Sequence, residues 1–216
     1  MKANGTDAEH RRTRRSPQEV QDLLLGAARS TFAARGYARA STRDIAEAAG
    51  VSEALLFRHF GTKANLFERA ILDPFHGFMD NYVDGRPADI TDVLPPPEVP
   101  SRDYVAPLFD LLSQNRELVM ALLAARAYEI DLAATPELSD ALDRLQTLVE
   151  LELTQRGLQG VDVPVTIRVT FAMIVSLAVF EDWLFPCDNR PSKDRIVDEM
   201  VRFMVHGLAR DRTVAP

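Results

Sequence analysis

The stretch Thr42–Phe60 reads TRDIAEAAGVSEALLFRHF, and its spacing predicts two short helices joined by a tight turn. Ile45 and Ala49 fall on one face of the first helix. Leu56 and Phe60, at i and i+4, fall on one face of the second. Val51 closes the corner between them, and Ala46 is small enough to let the helices cross closely. Gly50 stands where a sharp helix stop needs a left-handed backbone, which glycine adopts without strain. Ser52 is placed to cap the second helix. A helix of about nine residues is about 13 Å long, close to the ~12 Å width of the DNA major groove. Its outward residues are expected to be Glu53, Ala54, Phe57 and Arg58, with Leu55 and His59 at the margins. The pattern by itself also fits a helical hairpin inside an ordinary core.

The flanking sequence extends the helical reading. Ser16, Pro17 and Glu19 form a capping box with proline at the first helical position. Val20, Leu23, Leu24, Ala27, Ala28 and Phe32 then recur as one helical stripe that Gly36 ends, with Tyr37 packing back over the cap. A second capping pattern opens at Ser41-Thr42-Arg43-Asp44. Gly61-Thr62 starts a fourth helix through about Tyr82, which Pro74 is expected to kink or split. Residues 84–100 read as a linker. Five of the 13 prolines fall between Pro87 and Pro100, and no helix is expected to cross them. Helical periodicity returns over 104–115, 117–133, 136–156, 164–185 and 192–210, with no strand alternation. The expectation is an all-α chain of about nine helices.

With 46% apolar and 26% charged residues, the 216-residue chain has globular rather than disordered composition. Its single cysteine, Cys187, permits no intramolecular disulfide. With no apolar signal-peptide core in the N-terminal stretch, a cytoplasmic protein is expected. The longest mostly apolar run, Val169–Phe180, is 12 residues. That is short of the ~20 a bilayer span needs, so no membrane partner is expected. The net charge of −7 hides an asymmetry: residues 1–70 carry +4 and residues 71–216 carry −11. A basic head on an acidic body suggests that only the head meets phosphates.

Residues 17–72 resemble the N-terminal domain of the TetR family of bacterial regulators. The residues that carry the likeness are Phe32, Gly36-Tyr37, Ser41-Thr42-Arg43-Asp44-Ile45-Ala46, Ala49-Gly50-Val51-Ser52, Leu56-Phe57-Arg58-His59-Phe60, Lys63 and Leu66-Phe67. The rest of the chain fits that family in length and helix order. Polar residues 1–15, which end in a basic cluster, read as a disordered basic arm, and the resemblance implies a three-helix helix-turn-helix DNA-binding domain (16–62). A larger helical ligand-binding and dimerisation domain (63–216) follows. It implies a homodimeric repressor, with double-stranded DNA, a small apolar or amphipathic effector and a second copy of the chain as partners. By the same resemblance Thr42, Arg43, Ser52, Phe57, Arg58, His59 and Lys63 occupy positions that touch DNA. Here Glu53, Ala54 and Leu55 stand where the family often has Lys, Gly and Ser or Thr, and Phe57 where it often has Tyr. Phe57 therefore lacks a hydroxyl for a phosphate. Glu53 either accepts from a cytosine amino group or rests near a helix N-terminus, where carboxylates are favoured.

Outside the head, Phe75, Phe78, Met79, Tyr82, Tyr104, Phe109, Met120 and Tyr128 are candidate walls of a ligand cavity, because aromatic and Met side chains make adaptable apolar surfaces. Plain core is the alternative for each. The helix near 164–185 is apolar all round, so it must be buried all round, with one face meeting a partner or with both faces inside one protomer's core. Phe171, Val175, Ala178 and Val179, with Val197, Val201 and Met204 from the last helix, are the expected dimer interface. No two of His10, His59, His76 and His206 have metal-ligand spacing, and no nucleophile elbow or phosphate loop occurs. No enzyme, cofactor or metal is expected. An activator of the same fold, and a ligand-binding helical protein that has lost operator binding, remain the alternatives. Basic Arg11, Arg12, Arg14 and Arg15 would suit a minor groove or phosphates if the arm meets DNA.

Overall fold

The computed structural model describes residues 15–85, 94–128 and 136–209. These form ten α-helices and one 3-10 turn, one α-helix more than the sequence suggests. No helix among them is long and apolar enough to cross a membrane.

The head begins with α1 (Pro17–Arg39), whose capping box is complete. Ser16 Oγ accepts from the Glu19 amide at 3.1 Å, and the Ser16 amide donates to Glu19 Oε2 at 2.6 Å. That reciprocal bonding holds the Glu19 carboxyl below the usual carboxylate range. Gly36, at φ 69°, interrupts the helix where expected, although one further turn follows it. Helix α2 (Thr42–Ala48) is capped by Ser41, and α3 (Glu53–Phe60) by Ser52. Helix α4 (Lys63–Asp84) is capped by Thr62 and runs through Pro74 as one helix, where a kink or split was expected. Apolar burial on both sides of the proline, at Leu72 and Phe75, offsets the one backbone bond it cannot make.

The body holds α5 (Glu98–Gln114), α6 (Arg116–Tyr128), α7 (Pro136–Gln155) and α8 (Val163–Val179). Short α9 (Glu181–Leu184), a 3-10 turn at Cys187–Asn189 and α10 (Lys193–Ala209) complete it. Helix α5 starts six residues before the expected Tyr104, inside the proline-rich stretch. Pro97 is its N-cap and Pro100 lies in its first turn, where the missing amide had no helical partner to lose. The long helix expected over 164–185 instead stops at Val179, and α9 follows as a separate turn.

Two apolar cores result. The head core joins Leu24, Ala28 and Phe32 of α1, Ile45 of α2, Leu56 and Phe60 of α3, and Leu66 and Phe67 of α4. Leu118 and Ala125 of α6 also belong to it, because α6 packs along α1. The body core is built on Phe75 and Met79 of α4 together with the inner faces of α5, α7, α8 and α10. At the junction, Phe32 meets Phe67 edge-on at 4.7 Å, and Tyr37 meets Phe67 at 4.8 Å. The Lys63 ammonium lies 4.3 Å above the Tyr37 ring, a contact that adds electrostatic attraction to ring burial.

Phe67 is fully buried at this junction. Phe67→Ala should therefore cost about 3–5 kcal/mol of unfolding free energy. Urea unfolding followed by circular dichroism measures it, and a change under about 1 kcal/mol would show that the ring is not a keystone of the head.

Candidate nucleic-acid interface

The turn between α2 and α3 is set by Gly50 at φ 64° and by backbone bonds from Gly50 to Glu47 and from Val51 to Ala46, both 3.0 Å. Leu56 and Phe60 lie in the head core, so the opposite face of α3 turns outward. That face exposes Ala54, Phe57 and Arg58, with Glu53, Leu55 and His59 half-buried at its edges. Arg58 makes no hydrogen bond or ion pair among the described residues.

The other site residues divide by what already engages them. Thr42 Oγ1 donates to Glu53 Oε1 at 2.6 Å, so the α2 and α3 N-termini are tied by a charge-assisted bond. Glu53 is therefore an internal brace with one further carboxylate oxygen to offer. Ser52 Oγ accepts from the Leu55 amide at 3.3 Å, which commits it to capping. Arg43 is exposed on α2. Lys63 holds its ammonium over Tyr37. The His59 ring lies beside Phe60. Arg15, the one residue of the basic arm within the described residues, donates from its guanidinium to the Gly50 carbonyl at 3.1 Å. The arm thus reaches the helix-turn-helix corner, a contact that local pattern reading had no means to find. Arg11, Arg12 and Arg14, with His10, lie outside the described residues.

In the body, a cavity of about 250 Å³ opens between α4, α5, α7, α8 and α10. Of the expected wall residues, Tyr82 and Tyr104 line it. Phe75, Met79 and Phe109 are core, and Phe78 stacks on Tyr82 at 6.1 Å from the half-buried layer behind. Met120 is 38% exposed on α6 and lines no part of it. The Tyr128 side chain lies outside the described residues. The sequence reading missed the far wall, where Val149 and Glu152 on α7, Arg156 just after it, and Thr166 and Thr170 on α8 stand.

Most of the expected dimer residues are covered within the protomer. Ala178, Val179, Val197 and Val201 are buried. Phe171 packs edge-on against Phe75 at 5.5 Å, Val175 is half-buried in the same core, and Met204 lines the cavity. On α8, α9 and α10 the large apolar side chains left in solvent are Val165 and Val169 (55% exposed), Trp183 (79%) and Leu184, and Phe203 (66%).

This geometry defines a class: an all-helical protein with a helix-turn-helix head, whose second helix is presented to the outside. Residues 24–70 match the family described as "Bacterial regulatory proteins, tetR family". The head is thus of the type that this family carries. Among curated relatives, ArpR of Pseudomonas putida is 38% identical over 86 residues, covering 40% of each chain. The HTH-type transcriptional regulator TtgR, also of Pseudomonas putida, is 41% identical over 71 residues, covering 33% of each. The likeness thus spans well under half the length of these relatives. The solved structure of a TetR-like transcriptional regulator from Rhodococcus sp. RHA1 superposes with a TM-score of 0.62 at 20% identity, covering 89% of this chain and 97% of that one. The fold is therefore shared well beyond the head.

Gly50 tests the corner. A Cβ there would meet nothing closer than the Arg15 guanidinium at 3.7 Å, so any cost comes from the positive φ and not from a clash. Gly50→Ala should destabilise the protein by about 1–2 kcal/mol. Chemical denaturation reads this out, and an unchanged midpoint would mean the turn tolerates another backbone conformation.

Proposed function

We propose that this chain is a homodimeric DNA-binding transcriptional regulator, acting as a repressor that a small ligand releases from a palindromic operator. The observation that carries the reading is the outward face of α3: Arg58 unpaired beside exposed Phe57 and Ala54, on a helix anchored by Leu56 and Phe60. A rigid, capped helix of about major-groove width with a free guanidinium is suited to reading a guanine edge. The charge asymmetry supports the same orientation, with the basic head on DNA and the acidic body away from it. Relatives of the head are named as transcriptional regulators, which also supports it. The family resemblance favours repression by a ligand-responsive dimer.

Binding DNA by two heads requires a two-fold partner, and the exposed apolar side chains Val165, Val169, Trp183 and Phe203 are candidates for that interface. Two α3 helices on one duplex face would then lie about 34–36 Å apart, or a multiple of that.

Selection of bound sequences from a random DNA pool should enrich a palindrome, and a pool without enrichment would sink the reading. Against the selected sequence, Arg58→Ala should weaken binding by about 1–3 kcal/mol with the fold unchanged. Equal affinity would remove Arg58 from the interface.

The assembly has its own check. Light scattering at micromolar concentration should give twice the chain mass of 24.1 kDa. The double variant Val169→Asp, Phe203→Asp should give a folded monomer with weakened operator binding. A double variant that stays dimeric would place the interface elsewhere.

A further inference from the structure

The cavity behind Tyr82 has a defined chemistry. Tyr104 is one of its wall residues, is 4% exposed, and its hydroxyl has no hydrogen-bond partner. The neighbouring Tyr82 hydroxyl is engaged, donating to the Pro100 carbonyl at 3.0 Å. A buried hydroxyl without a partner loses its water without replacement, a cost of about 1–3 kcal/mol. Burial, with Tyr82 close by, pushes the Tyr104 hydroxyl up, so it stays a neutral O–H donor.

Among the described residues, the charges on the wall are Glu152 and Arg156, bonded to each other at 2.7 Å with side-chain exposures of 15% and 12%. The guanidinium also donates to the Pro95 carbonyl at 2.8 Å. The pair is thus balanced and geometrically satisfied. A ligand carboxylate would either face Glu152 or displace it from the guanidinium, losing the 2.7 Å bond between the two. That loss is steep in a site this dry. Thr170 adds no demand, since its hydroxyl bonds to the Thr166 and Ile167 carbonyls of its own helix. At about 250 Å³ the cavity lies below the ~300–1,000 Å³ of pockets for drug-sized ligands, so it suits a compact ligand.

We infer that this cavity binds a compact, uncharged, mainly apolar molecule whose one hydrogen-bond acceptor takes the Tyr104 hydroxyl. The inference rests on reading the chain as a ligand-responsive regulator and gives that ligand a chemical class. It excludes carboxylates and chains of fatty-acid length, which the balanced ion pair and the volume respectively oppose.

Acetophenone is a suitable probe, with benzoate as a carboxylate of the same heavy-atom count and palmitate as a long chain. Calorimetry on the full chain should show one acetophenone per protomer at millimolar concentration, with benzoate and palmitate binding more weakly. Tyr104→Phe should weaken acetophenone binding about tenfold, the weight of one hydrogen bond. The same variant should melt no lower than the parent, because the hydroxyl it removes has no partner in the ligand-free fold. Val149→Phe, which fills the cavity from α7, should abolish binding. Equal binding by Tyr104→Phe, a lower melting temperature for it, preference for benzoate or palmitate, or no acetophenone binding would each overturn the inference. Operator binding is measured in parallel. If DNA binds and acetophenone does not, this inference alone fails. If acetophenone binds through Tyr104 and no DNA sequence is enriched, the regulator reading fails and the ligand class stands.

Discussion

Helix α4 belongs to two cores at once, and the relation of head to body depends on that. Its first turns place Leu66, Phe67 and Ala70 in the head core, and its second half places Phe75 and Met79 in the body core. Interiors are close-packed, so α4 cannot tilt or slide without repacking one of the two. Helix α6 is a second tie, since Leu118 and Ala125 reach back to α1. Ion pairs from Arg144 on α7 to Asp80 at 2.5 Å and Asp84 at 3.0 Å clamp the distal half of α4. Being exposed, such pairs contribute little stability. Their weight lies in holding the register of α4 against α7.

The head was legible in the sequence because its determinants are local. Ser16 and Glu19, Gly50, Ser52 and the Leu56/Phe60 pair each act within a few residues, and spacing alone reveals them. The body was legible only in class. The prolines from Pro87 to Pro100 argued against an early start to α5, yet that helix buries Val105, Leu108, Phe109 and Leu112, and such burial outweighs a local backbone penalty. Helix α8 shows the limit most clearly. A helix apolar on every side does not say which side its own fold will take. Here Ile167, Ile174 and Ala178 face inward while Val165 and Val169 are left outside, and only the positions of the neighbouring helices decide that. Helix α10 repeats the case, with Val197 and Val201 inward and Phe203 outward.

The cavity was half-legible for a related reason. Tyr82 and Tyr104 stood out because aromatic side chains make good walls. Glu152 near the end of α7 and Arg156 just beyond it are four apart, the spacing of an ordinary surface pair on a helix. Their burial arises from Pro95, Pro97 and Pro100, which bring the start of α5 across them. That contact joins residues some 60 positions apart, with Arg156 and Pro95 at a separation of 61. No window of helical periodicity contains it. The Arg15 contact to Gly50 escaped for the same reason, at a separation of 35.

Ligand control of the head, on the proposed reading, has a natural lever in Tyr82. It stands near the body end of α4 and lines the cavity, and its hydroxyl is held by Pro100. Phe67 lies 15 residues earlier on the same helix, about 22 Å away at 1.5 Å per residue. A ligand shifts α4 only by as much as it prefers one of its positions to the other, and couplings of about 1–3 kcal/mol are usual. A compact molecule that presses on Tyr82 and satisfies Tyr104 in one position of α4 but not the other reaches that scale with a single hydrogen bond and a little buried area. The small volume of the cavity is therefore no obstacle to control. What control requires is that one wall be carried on the helix the head is built upon, and Tyr82 meets that requirement.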